Sequence, residues 1–127
     1  MVRWVSPVVH MRRTATRDVE LAGTRIEAGD KVVMYYGSAN RDERAFVDPD
    51  RFDIGRSPNE HVAFGGGGPH FCLGANLARL EMKVFFEELL KRLPDIEVSG
   101  EVSRLRSNFI NGLKHIPVSF TPTAPAA

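Results

Sequence analysis

Apolar positions are best ordered in the second half of the chain. Leu77, Leu80, Val84, Leu89 and Leu93 recur at helical spacing, and Phe85, Phe86 and Leu90 widen the same face. This pattern predicts an amphipathic helix that begins near Ala75 and is stopped by Pro94. Arg79, Lys83, Glu87 and Lys91 follow one another on a second, charged face. The first half alternates more than it repeats. Residues 1–5 read as the last turn of a helix, stopped by Pro7, and residues 8–14, 18–21 and 31–36 read as short strands. Gly23 and the pair Ala28-Gly29 mark turns between them. Residues 40–46 suit a short helix. Residues 101–108 and 114–120 flank Asn111-Gly112, a signal for a tight hairpin. Residues 47–68 show almost no periodicity and much Pro, Asp, Gly and Asn. An irregular stretch of that length is usually either functional or wrongly assigned. No internal repeat is visible.

Composition narrows the class without naming a function. The 127 residues suffice for one domain, and 43% hydrophobic with 26% charged residues is ordinary for a water-soluble globular protein. A net charge of +1 gives no reason to expect nucleic-acid binding. The single cysteine forbids an internal disulfide and suits a reducing cytoplasm. No apolar run is long enough to cross a membrane, and residues 1–20 lack the apolar core of a signal peptide. Residues 121–127, rich in Pro, Ala and Thr, read as a flexible tail.

That one cysteine stands in the most distinctive run of the chain, Phe64-Gly65-Gly66-Gly67-Gly68-Pro69-His70-Phe71-Cys72-Leu73-Gly74. The glycines deliver the thiol to the start of the long helix, where free backbone N–H groups and the positive end of the dipole stabilise negative charge. A thiolate there serves as a nucleophile or as a metal ligand. A zinc site needs further cysteines or closely spaced histidines, and the sequence has none so placed. A phosphate-cradling loop needs Gly-Lys-Ser/Thr where this chain has Gly68-Pro69-His70. A cysteine hydrolase needs a general-base histidine and an oxyanion hole; His70 is two residues away, His10 and His61 lie elsewhere, and nothing marks the hole. A lone cysteine is otherwise most often a small buried hydrophobe.

The run from Phe64 to Gly74, continued by Ala75-Asn76-Leu77-Ala78-Arg79-Leu80-Glu81, resembles the haem-binding segment of cytochrome P450 monooxygenases. The likeness is strongest to the soluble bacterial members. Further blocks agree in order and spacing. Arg3-Trp4-Val5-Ser6-Pro7 is similar to the end of the family's Glu-x-x-Arg helix, and Arg13-Thr14-Ala15-Thr16 to the strand after it. Ser38-Ala39-Asn40-Arg41-Asp42 and Asp48-Pro49-Asp50-Arg51-Phe52-Asp53 match the segment leading into the family's meander. The implied fold is α+β, the C-terminal third of a mainly helical architecture: small β region, meander, cysteine loop, long helix and β-hairpin.

The resemblance implies haem b as cofactor and Cys72 as the axial thiolate on its iron, where electron donation favours O–O cleavage. It implies that backbone N–H groups near Leu73 and Gly74 bond the sulfur. Gly65, Gly68, Gly74 and Ala78 let the backbone approach the porphyrin, Phe64 shields the thiolate, and His70 and Arg13 bind the propionates. Arg3 and Arg51 become structural, sharing a buried carboxylate. Val8, Val9, His10, Phe109 and Ile110 become contacts for an apolar substrate such as a sterol or branched lipid. The Arg79/Lys83 face becomes the docking surface for a ferredoxin-type electron donor.

The pattern departs from the family at two places. Phe64 lies eight residues before Cys72, one more than the commonest spacing, as in a subset of actinobacterial lipid- and sterol-oxidising members. The glutamate of Glu-x-x-Arg would sit just before Met1, so residues 1–120 begin inside the motif. The oxygen-activating helix and a further propionate-binding arginine also lie outside the sequence. The expectation is the haem-ligating part of a monooxygenase, inactive in isolation. Two other expectations stand beside it: a truncated product that binds haem weakly or not at all, and an unrelated domain with a buried cysteine.

Overall fold

The computed structural model describes residues 1–122, which group into two compact units. The first contains residues 1–66 and 107–111, and the second, among the described residues, 67–106 and 112–122.

In the first unit, helix α1 (Val2–Val5) ends at Ser6, whose left-handed backbone (φ 44°) turns its N–H back to Val2 O at 2.9 Å. Pro7 has no N–H to extend the helix. Strand β1 (His10–Thr14) pairs antiparallel with β4 (Lys31–Tyr35), with His10 opposite Tyr35 and Thr14 opposite Lys31. Between them, β2 (Val19–Leu21) and β3 (Thr24–Ile26) form a second ribbon. Ala22 and Gly23 join these strands with positive φ at both positions (49° and 78°), the backbone of a two-residue hairpin whose twist matches its strands. Residues 24–26 were not expected as a strand; their partner Val19–Leu21 supplies the hydrogen bonds that their own pattern does not announce.

Two expectations shift here. Tyr36 does not continue β4. Its N–H bonds Val9 O at 3.0 Å and it opens helix α2 (Tyr36–Ala39), so the short helix lies before residues 40–46 rather than within them. Residues 42–46 make only a single turn: the backbone N–H groups of Ala45 and Phe46 both bond Asp42 O at 2.9 Å, and the Asp42 carboxylate caps that turn by accepting the backbone N–H of Arg44. Residues 47–66 carry neither helix nor strand, as their composition predicts. The buried apolar residues of this unit are Phe46 and Ala63.

In the second unit, a 3₁₀ turn (Gly68–His70) leads to α3 (Ala75–Arg92). Leu93 closes α3 with an N–H bond to Leu89 O at 2.8 Å, and Pro94 follows. Ala75 is buried, whereas Leu77, Leu80, Val84, Phe85 and Leu90 of the predicted apolar face are each at least half exposed. Strand β5 (Glu97–Val98) pairs with β8 (Val118–Ser119), and β6 (Ser103–Arg104) pairs through a register shift with β7 (Leu113–His115).

The closing hairpin is therefore present, but its tip is not a two-residue turn. Gly112 O accepts from Leu105 N–H at 2.9 Å. Asn111, in the first unit, gives its backbone N–H to Pro7 O and its amide to Val5 O. Of the expected tail, Thr121 N–H is held by the Asp95 carboxylate at 3.0 Å, and residues 123–127 lie outside the described residues.

Candidate cofactor site

Cys72 is a free thiol and exposed, which overturns the expectation of a buried structural cysteine. The glycine loop places it three residues ahead of α3, where Cys72 O accepts Ala75 N–H (3.1 Å) and Gly74 O accepts Ala78 N–H (2.8 Å) in the first turn. Gly67 and Gly68 have φ of 104° and 72°, a region that residues with a Cβ rarely adopt. A Cβ built on Gly66, Gly67 or Gly68 meets no atom within 4 Å, and one on Gly74 comes within 3.9 Å of Cys72 Sγ. Leu73, beside the thiol, is fully exposed, and His70 and Phe71 are also exposed.

These features bear on whether haem fits. The glycines leave open space, the thiol is presented outward, and apolar Leu73 and Phe71 offer contact to a large flat ligand. Among the described residues no group of three or more His, Cys, Asp or Glu could hold a bare metal ion. A single thiol donor suits a metal that brings its other ligands with it. The residues fit.

Apart from Arg79 and Lys83 on α3, the remaining predicted residues lie in the first unit. Gly65 has φ of 93° and donates to Val62 O at 2.8 Å. Phe64 tilts against His61 with ring centroids 5.9 Å apart. Arg13 is exposed on β1, one guanidinium N–H on Arg12 O. The five predicted substrate residues converge: Val8 bridges Ile110, Val9 N–H bonds Phe109 O at 2.9 Å, and the rings of His10 and Phe109 lie 6.0 Å apart. Val9 also lines a cavity of about 270 Å³ together with Trp4, Tyr35 and Arg41.

The predicted arginine pair divides. Arg3 is buried and donates to Asn40 O (2.6 Å) and Pro49 O (2.9 Å), with its guanidinium 5.0 Å from the Phe46 ring centre. Burial, followed by the nearby charges of Arg56 and Arg41, lowers its pKa. Arg51 is exposed, and its backbone N–H bonds Asp48 O. The guanidinium near Arg3 belongs instead to Arg56, which donates to Val47 O (2.6 Å) and Asp48 O (2.8 Å) and whose Nε is buried without a partner. No sequence signal marked Arg56, and Asn40 and Ser6 stood within family-like blocks without a role of their own, although both are among the most buried polar residues described. On α3, Lys83 faces Glu87 at 3.9 Å and Arg92 pairs with Glu88 at 2.8 Å, so part of the basic stripe is internally balanced.

A family model for cytochrome P450 matches residues 1–109. The chain is 58% identical over 121 residues to a methyl-branched lipid omega-hydroxylase of Mycobacterium bovis, which covers 95% of this chain and 28% of that protein. It is 53% identical over 120 residues to a steroid C26-monooxygenase of Rhodococcus jostii, covering 94% and 26% respectively. A solved Mycobacterium marinum cytochrome P450 in complex with pseudoionone superposes with a TM-score of 0.89 at 53% identity, over 94% of this chain and 28% of that one. The chain thus spans little more than a quarter of the curated relatives it matches. No helix among the described residues is long and apolar enough to cross a membrane. The chain belongs to the cytochrome P450 family, whose cofactor is haem iron.

Proposed function

We propose that this chain is the haem-ligating portion of a monooxygenase that inserts one atom of O2 into an apolar substrate, with Cys72 as the axial thiolate. The observation that carries the reading is an exposed thiol, ahead of α3, beside glycines whose missing side chains leave open space. When bound, haem supplies the oxygen chemistry. The chain's residues prepare for it. Cys72 donates the sulfur, and the amides near Leu73 and Gly74 hold negative charge on it. Gly68, Gly74 and Ala78 keep bulk away from the ring, and His70 binds a propionate. Gly65, Phe64 and Arg13, in the first unit, carry the roles of backbone approach, sulfur shielding and second propionate contact that the resemblance gives them. Val8, Val9, His10, Phe109 and Ile110 contact the substrate, and their convergence supports a common task.

The substrate class is a methyl-branched lipid or a steroid side chain, supported by the names of the two enzymes compared above. A ferredoxin-type donor docks on the Arg79/Lys83 face, and the protein works in the cytoplasm. The 127 residues alone are expected not to turn over, since they match little more than a quarter of the length of those enzymes. The test uses the whole protein carrying this sequence, haem-loaded, with a ferredoxin, its reductase, 18O2 and a methyl-branched fatty acid or a sterol. Hydroxylated product bearing one labelled oxygen is expected, lost in Cys72→Ser and absent with the 127-residue chain. Unlabelled product, or labelled product from Cys72→Ser, defeats the reading.

A further inference from the structure

The cavity of about 270 Å³ lies wholly within the first unit. Trp4, Val5 and Val9 give it apolar walls, and Tyr35, Ser38 and Arg41 bring polar groups to the same space. The Trp4 wall is fixed from two sides. The Arg41 guanidinium lies 5.0 Å from its ring centre, and the Phe52 ring meets it edge-on with centroids 5.5 Å apart. Val5 is held through its carbonyl, which accepts the Asn111 amide at 2.7 Å. Arg41 is already matched: its Nη2 donates to Trp4 O at 3.0 Å, and its Nε faces the Asp50 carboxylate at 3.3 Å. The hydroxyls of Tyr35 and Ser38, by contrast, have no hydrogen-bond partner among the described residues. Val9 belongs to the predicted substrate contacts, and the Tyr35 ring lies 5.5 Å from that of His10, another of them.

A mostly apolar cavity with a few convergent polar groups is the usual form of a small-molecule site, and walls set before binding spare the cost of ordering them. The polar groups choose the ligand. Two unpaired hydroxyls can each donate to, or accept from, a neutral oxygen. A carboxylate would compete with Asp50 for Arg41 and lose its own water on entering, so the charge already matched there favours a neutral ligand. We propose that this cavity binds the hydroxyl- or keto-bearing part of the substrate, with Tyr35 and Ser38 as its hydrogen-bond partners. The proposal rests on the reading of Val9 and His10 as substrate contacts. It narrows that substrate to a neutral alcohol or ketone on an apolar skeleton and excludes a free fatty acid.

Calorimetric titration of the haem-loaded protein carrying this sequence tests the proposal, with each ligand delivered from cyclodextrin. Isostearyl alcohol, isostearic acid and isooctadecane share a methyl-branched skeleton, and cholesterol offers a hydroxyl on a sterol. At least one of the two alcohols should bind about tenfold tighter than the acid and the hydrocarbon, and the tighter one identifies the skeleton. Ser38→Ala and Tyr35→Phe, both at exposed positions, should each weaken that alcohol about fivefold, the factor of one ordinary hydrogen bond, and leave the hydrocarbon unchanged. The proposal is overturned if the acid binds as tightly as both alcohols. It is also overturned if neither variant weakens the alcohol, or if both weaken alcohol and hydrocarbon alike. Phe109→Ala, outside the cavity, tests the wider substrate reading: it should weaken alcohol and hydrocarbon together. No effect on either, with Ser38→Ala still selective, counts against that wider reading and not against the cavity's preference. Absence of binding by all four ligands overturns both.

Discussion

At the residue scale, the first unit depends on polar residues more than its size suggests. Arg3, Ser6 and Asn40 are buried while its buried apolar residues are Phe46 and Ala63. Arg3→Met removes the donor from Asn40 O and Pro49 O, and stranded buried carbonyls each cost roughly 1–3 kcal/mol. We expect the haem-loaded protein to lose about 2–4 kcal/mol, read from its urea midpoint, while Arg51→Met stays within about 0.5 kcal/mol because Arg51 is exposed. Asp42 gives a pH-dependent counterpart. Its hydrogen bonds from the Arg44 side chain and backbone hold its pKa at about 2, against 3.8 for the ordinary side chain. A depressed acid contributes stability that is present above pH 3.8 and lost as pH falls through about 2. Carbon-13 titration of the Asp42 carboxyl should show that midpoint, and Arg44→Ala should move it upward toward the ordinary value.

At the element scale, the cysteine loop divides its glycines by function. Gly67 has φ 104° and ψ −175°, a conformation open essentially to glycine alone. Gly66 does not have positive φ, and a Cβ there meets nothing. Gly67→Ala should cost about 1–3 kcal/mol in a thermal melt of the haem-loaded protein, and Gly66→Ala should be near neutral. A loss at Gly66 as large as at Gly67 would contradict this. The sequence shows α3 clearly because eighteen residues of regular spacing outvote any local exception. It also shows the strands of the first unit, where branched side chains and glycine turns coincide. It hides what depends on distant partners. The helix expected at residues 40–46 shrinks to one turn that begins at Asp42, and the hairpin tip fails because Asn111 bonds Pro7 and Val5 instead of turning. Of the candidate site, Cys72 and its glycines were legible as a motif. Asn40 and Arg56 were not, since their roles consist of hydrogen bonds to backbone carbonyls and amides remote in sequence.

At the scale of the whole molecule, the described apolar side chains are mostly uncovered. Leu73 and Leu77, Leu80, Val84, Phe85 and Leu90 of α3 lie exposed, as do Val118 and Phe120 near the chain's end. So many exposed large apolar side chains are an aggregation hazard. The 127 residues by themselves should therefore bind a hydrophobic dye and melt without a sharp cooperative transition; a steep calorimetric peak from a monomer would contradict this. The account rests finally on Cys72. The most direct measurement is the absorption spectrum of the ferrous, carbon monoxide-bound form of the haem-loaded protein carrying this sequence. We expect the red-shifted Soret band of thiolate ligation, replaced in Cys72→His by a histidine-type spectrum. An unchanged band in Cys72→His, or a wild-type spectrum without the red shift, would contradict the assignment of Cys72 as the iron ligand.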